Sequence, residues 1–163
     1  MRYLTLCLLG FFGIILRDTV FTHLVVAGAR PDFVLIVVIL FALFNGPNQG
    51  GIAGIMLGLM EDLLIGRYIG LNALCKGAIG FFIGFLNDKI YKENFSVPIF
   101  SLFFGTIGYV FIYFLTSNII GNGMSIVYCL QVVFPMAIYN SCLTPFIYGM
   151  FYNMSTKGIL KGS

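Results

Sequence analysis

Along the chain, several apolar runs of the length needed to cross a bilayer as a helix, roughly 17 to 25 residues, lie end to end with short polar breaks. The breaks predict six helices, at about residues 3–25, 31–45, 50–68, 70–88, 97–117 and 126–152. Each break has its own chemistry. Arg30-Pro31-Asp32 reads as a helix start, with Pro31 in the first helical position and Asp32 near the positive end of the helix dipole. NGPNQGG, from Asn45 to Gly51, is a turn sequence, DKIYKEN, from Asp88 to Asn94, is the strongly polar loop, and SNIIGNGMS, from Ser117 to Ser125, is an uncharged turn.

Two of these segments have unusual lengths. The second is short for a membrane span, since about 15 residues rise roughly 22 Å against a hydrocarbon core near 30 Å. The sixth is long and contains Gln131, Pro135, Asn140, Ser141, Thr144 and Pro145. Two prolines free backbone carbonyls that need partners, so this helix is expected to kink and to lie against protein rather than lipid.

Composition turns the helix pattern into a solvent assignment. Of 163 residues, 60% are hydrophobic and 9% charged, and the mean hydropathy is +1.01. That is more apolar surface than a soluble domain of this size can bury, so the expected fold class is an all-α polytopic membrane protein, residues 1–163 forming a single transmembrane domain. Nothing supports nucleic-acid binding. Cys7, Cys75, Cys129 and Cys142 lie inside apolar runs without paired spacing and read as small hydrophobes, so no metal and no cofactor are expected. Arg2, the run to Leu16 and Ala27-Gly28-Ala29 imitate a cleaved secretory signal, but Arg17, Asp18 and His23 intervene, and the segment is kept as a membrane helix.

Charge is informative by position. Six helices place both termini on one side, and Arg2, Lys89, Lys92, Lys157 and Lys161 on that side make it the cytoplasm. Arg17, Arg30, Arg67 and Lys76 then share the outer third of the bilayer with Asp18, Asp32, Glu61 and Asp62. Ionisable groups at membrane depth pair or face water, so an internal ionic cluster is one account of this layer; snorkelling to the headgroups is the other. Asp62 is too short to snorkel far and is expected to pair with a basic group, Arg30 first, then Lys76 or Arg17.

Asp62 also interrupts a ladder. Gly50, Gly54, Gly58, Asp62, Gly66 and Gly70 recur every fourth residue, share one slowly winding helix face, and form a groove that admits another helix backbone. Gly77, Gly80 and Gly84 continue the theme on the fourth helix, which suggests that the third and fourth helices pack closely together and on a further surface.

Arg30-Pro31-Asp32 with FVLIVVILFAL behind it, the ladder GIAGIMLGLMEDLLIG, and Gly70-Leu71-Asn72-Ala73 resemble, in order and spacing over about residues 28–87, the rod shape-determining protein MreD family. The last two helices match it in hydropathy and length alone. The resemblance implies a bacterial inner-membrane protein with a fold similar to the substrate-binding component of energy-coupling-factor transporters, and without catalysis of its own. It implies membership of the cell-elongation complex, association with the single-span protein MreC, and indirect links to MreB filaments and peptidoglycan synthases. The family's motif falls on Arg30, Pro31, Asp32, Gly54, Gly58, Asp62, Gly66 and Gly70, with Asn72 in the register that follows; Glu61 has no place in it.

Other functions fit less well. A zinc-type intramembrane protease needs clustered ligands, and His23 is the lone histidine, with no HExxH. The same scarcity removes a histidine base from any serine site. A flippase or channel would need alternating access from a small chain with no visible inverted repeat. The substrate-binding subunit of an energy-coupling-factor transporter is the alternative, opposed by the absence of an Ala-x-x-x-Ala docking pattern in the first helix.

Overall fold

A computed structural model describes residues 2–19, 28–65, 68–87, 96–121 and 123–156. It contains six helices: α1 (Arg2–Thr19), α2 (Phe33–Asn45), α3 (Pro47–Leu64), α4 (Leu71–Gly84), α5 (Ser96–Ile119) and α6 (Ile126–Thr156). Among them α5 and α6 are long and apolar enough to cross a membrane, whereas α1, α2 and α4 are shorter apolar helices. Large side chains such as Leu8, Phe12, Leu63, Phe82, Phe104 and Phe146 stand exposed on the outside. An apolar coat of that kind is matched by lipid rather than water.

The short second helix has a structural reason. Every residue of α2 from Val34 to Leu43 is buried, and the helix touches α1, α3, α4, α5 and α6. It is the central post of the bundle, about 20 Å long by its 13 residues, and its ends are finished by protein instead of headgroups. Asp32 caps it from outside, its Oδ1 accepting the Leu35 N–H at 2.9 Å. Pro31 therefore precedes the cap and is not the first helical residue. Pro47 does occupy a first helical position, at the start of α3, so most of the NGPNQGG segment is helix, entered through Gly46 at φ 90°.

The sixth helix departs from expectation in its surroundings. It buries one face, a stripe that runs from Cys129 and Val132 through Asn140, Thr144 and Tyr148, while Pro135 is half-buried and Pro145 is exposed on the outside. Its start is set by Ser125, whose Oγ accepts the Val127 N–H at 3.3 Å, and the preceding turn is closed by Asn118 Nδ2 donating to Met124 O at 3.2 Å.

The closest approach in the bundle is α3 on α4, and the glycine ladder makes it possible. A Cβ on Gly58 would stand 2.6 Å from both Ala73 Cα and Asn72 O, and one on Gly54 would stand 2.8 Å from Gly77 Cα. Those are backbone atoms that cannot swing aside. Gly50 and Gly80 face each other at the next level, each meeting the other's carbonyl oxygen. The groove expected for a neighbouring helix is thus filled by α4 of the same chain, and small side chains on both surfaces let dispersion contacts replace lipid contacts. Gly66 and the loop basics Lys89 and Lys92 lie outside the described residues.

Candidate functional site: a buried polar chain through six elements

Within this apolar bundle, polar side chains converge toward the end where α3 finishes and α4 begins. Lys76, on the first turns of α4, is fully buried, with Nζ 2.8 Å from Asp32 Oδ2 and 3.0 Å from Asp32 Oδ1. Its second anion is Glu61 near the end of α3, whose other oxygen takes Arg17 of α1. One lysine thus lies between two buried carboxylates. Taking these charges out of water costs several kcal/mol per ion, and only mutual pairing with good hydrogen bonds makes it tolerable.

The chain continues beyond the charges. Asp32 N–H donates to Asn140 Oδ1 on α6 at 2.9 Å, Asn140 Nδ2 donates to Thr106 Oγ1 on α5 at 3.0 Å, and Thr144 Oγ1 returns to Asn140 O at 2.8 Å. Arg17, Glu61, Lys76, Asp32, Asn140 and Thr106 thereby join α1, α3, α4, α2, α6 and α5 in one connected series. In low-dielectric surroundings a series with each member satisfied fixes one arrangement of helices, because sliding any of them leaves an unpaired polar group.

Asp62 is held differently. Its Oδ2 accepts the N–H of Gly70 at 2.9 Å and of Ala73 at 3.1 Å; its Oδ1 accepts the Asn72 N–H at 3.2 Å and Asn72 Nδ2 at 2.8 Å. These are donors of the first turn of α4, which begins at Gly70 without a side-chain cap of its own. The carboxylate on α3 is a cap supplied from the adjacent helix, placed at the positive end of the α4 dipole. Asn72 passes the connection on, since Tyr109 Oη donates to Asn72 Oδ1 at 2.7 Å, and the Tyr109 ring lies 5.5 Å from Lys76 Nζ.

The structure therefore divides the expected residues. Arg17 and Lys76 join the ionic cluster, with Asp32 and Glu61 as their acids. The expected pairing of Asp62 with Arg30, Lys76 or Arg17 is replaced by amide hydrogen bonds, because the ladder's register aims Asp62 at a helix N-terminus and leaves the adjacent Glu61 to face the cations. Arg30 is exposed and makes no ion pair among the described residues. Sequence reasoning did not single out Tyr109 or Thr106. They are two of several hydroxyl-bearing residues on α5, with Ser101, Tyr113, Thr116 and Ser117, so nothing in the sequence set them apart.

These features define a class: an all-helical protein, with two helices long and apolar enough to cross a membrane, whose buried charges among the described residues pair with one another and with amides across its helices. The family model for the rod shape-determining protein MreD matches residues 1–157, and the chain belongs to that family. Comparison with curated proteins and with solved structures gave no match.

Proposed function

We propose that the protein is a non-catalytic membrane component of the bacterial cell-elongation complex, scaffolding peptidoglycan synthesis through association with an MreC-like single-span protein. MreB filaments and peptidoglycan synthases are then indirect partners. Membership of the rod shape-determining family over residues 1–157 carries this reading. The polar chain supports it from a different side: the carboxylates and cations are occupied with one another and with amides, an arrangement suited to a rigid part and not to turnover. In this reading the chain is multi-pass in the inner membrane with both termini cytoplasmic, which puts the Asp62–Asn72 end in the outer leaflet.

The test is complementation with recovery of partners. A rod-shaped host depleted of its own copy should keep its shape when this chain is expressed, and affinity purification from its membranes should bring down a single-span elongation protein. Rounded cells at normal protein levels would overturn the scaffold reading, and recovery of an ATPase pair with a coupling subunit would assign the chain instead to transport.

A further inference from the structure

A cavity of about 600 Å³ lies at the same end of the bundle, between Gly28 and Arg30 ahead of α2, the C-terminal part of α1, the start of α4, and the facing sides of α5 and α6. Its lining mixes two chemistries: Arg17, Arg30, Asn72, Tyr113 and Tyr128 bring polar groups, and Val110, Met124, Val132 and Met136 bring apolar surface, with Tyr128 and Val132 neighbours on one face of α6. No carboxylate is among the described lining residues, since Asp32, Glu61 and Asp62 are each no more than 2% exposed and sit within the polar chain.

We propose that this cavity binds the headgroup of an anionic phospholipid. Arginine receives phosphate oxygens through paired N–H donors, and the pairing strengthens where water is scarce. Arg17 already donates through Nη1 to Glu61, which anchors its guanidinium at the wall, while Arg30 has no carboxylate of its own among the described residues. The valine and methionine side chains of the lining give the first carbons of the acyl chains an apolar surface. A free phosphate ion would satisfy the arginines but leave the apolar side chains of the lining unused. The volume lies in the range of sites that enclose a small organic ligand, about 300–1,000 Å³. The site is independent of the scaffold reading: it depends on the cavity's charge and shape, whichever complex the chain joins.

Native mass spectrometry of the full chain in detergent tests it, with phosphatidylglycerol and phosphatidylcholine of equal chain length as probes. The expected result is preferential retention of phosphatidylglycerol, falling about tenfold in Arg30→Gln, the scale for losing one charge-assisted contact. Arg30→Lys should keep part of the preference. Val132→Phe, which narrows the cavity and leaves both arginines, should weaken retention as well, and circular dichroism confirms that each variant is folded. Equal retention of the two lipids, or a preference unchanged in Arg30→Gln, overturns the proposal. A rise in thermal stability with inorganic phosphate equal to that with phosphatidylglycerol also overturns it, by assigning the site to a small soluble anion.

Discussion

Lys76 Nζ stands 2.8 Å from Asp32 Oδ2, a lysine and an aspartate whose side chains are 0% and 2% exposed. Since Asp32 also caps α2 and Lys76 also meets Glu61, this contact couples the start of the central helix to both halves of the α3–α4 pair.

Removing that lysine strands two acids. Lys76→Met leaves Asp32 and Glu61 buried without their shared cation and should destabilise the protein by about 3–5 kcal/mol, the range for breaking one side of a buried pair. The double variant Lys76→Met with Glu61→Gln deletes one charge of each sign and should recover part of the loss. Thermal unfolding in detergent reads both, followed by a thiol-reactive dye in a background where Cys7, Cys129 and Cys142 are replaced by Ser, so that the signal reports exposure of the buried Cys75. A double variant no more stable than the single one would mean that Glu61 is not held by Lys76.

Asp62 should behave as a cap. Asp62→Ala removes the acceptor for three backbone N–H groups and the Asn72 amide, and should cost about 1–3 kcal/mol, while Asp62→Asn retains one acceptor oxygen and should cost less. Hydrogen exchange should quicken first at Asn72 and Ala73. Uniform loosening of all helices, with no local effect at the start of α4, would contradict the cap.

At Gly58 a single methyl group meets backbone. Gly58→Ala should force α3 and α4 apart and cost about 1–3 kcal/mol, in line with overpacking elsewhere. Gly149→Ala on α6, where an added Cβ meets nothing within 4 Å, is the matched control and should leave the unfolding temperature unchanged or slightly raised. The pair separates steric closure from the general effect of replacing a helical glycine.

Asn140 joins the two long helices to the centre. Asn140→Leu removes the acceptor for Asp32 N–H and the donor to Thr106, leaving buried polar groups unsatisfied at a cost of about 1–3 kcal/mol. Adding Thr106→Val should cost little more, because its partner is already gone. Additive losses from the two substitutions, measured as a double-mutant cycle, would show that the 3.0 Å contact between them contributes nothing.

Much of the fold was readable from periodicity. Apolar run length, with five breaks that include those at Arg30–Asp32, Asn45–Gly51, Asp88–Asn94 and Ser117–Ser125, was enough for six helices, because in lipid a backbone must satisfy its own hydrogen bonds and a long apolar run has few alternatives to a helix. The four-residue glycine spacing likewise announced a close helix contact, since it places the small residues on one face whatever packs there. What packs there was a tertiary decision: the groove accepts α4, and α2 is short because it is enclosed. The charges show the same division. Their scarcity in an apolar chain required partners for Asp62, Glu61, Asp32 and Lys76, but Glu61 and Asp62 are adjacent, and adjacent residues on a helix diverge by about 100°. Which acid met the lysine and which met a helix N-terminus depended on how α3 is rotated against α4, a quantity set by the packing of glycines on backbone and not by the order of the residues.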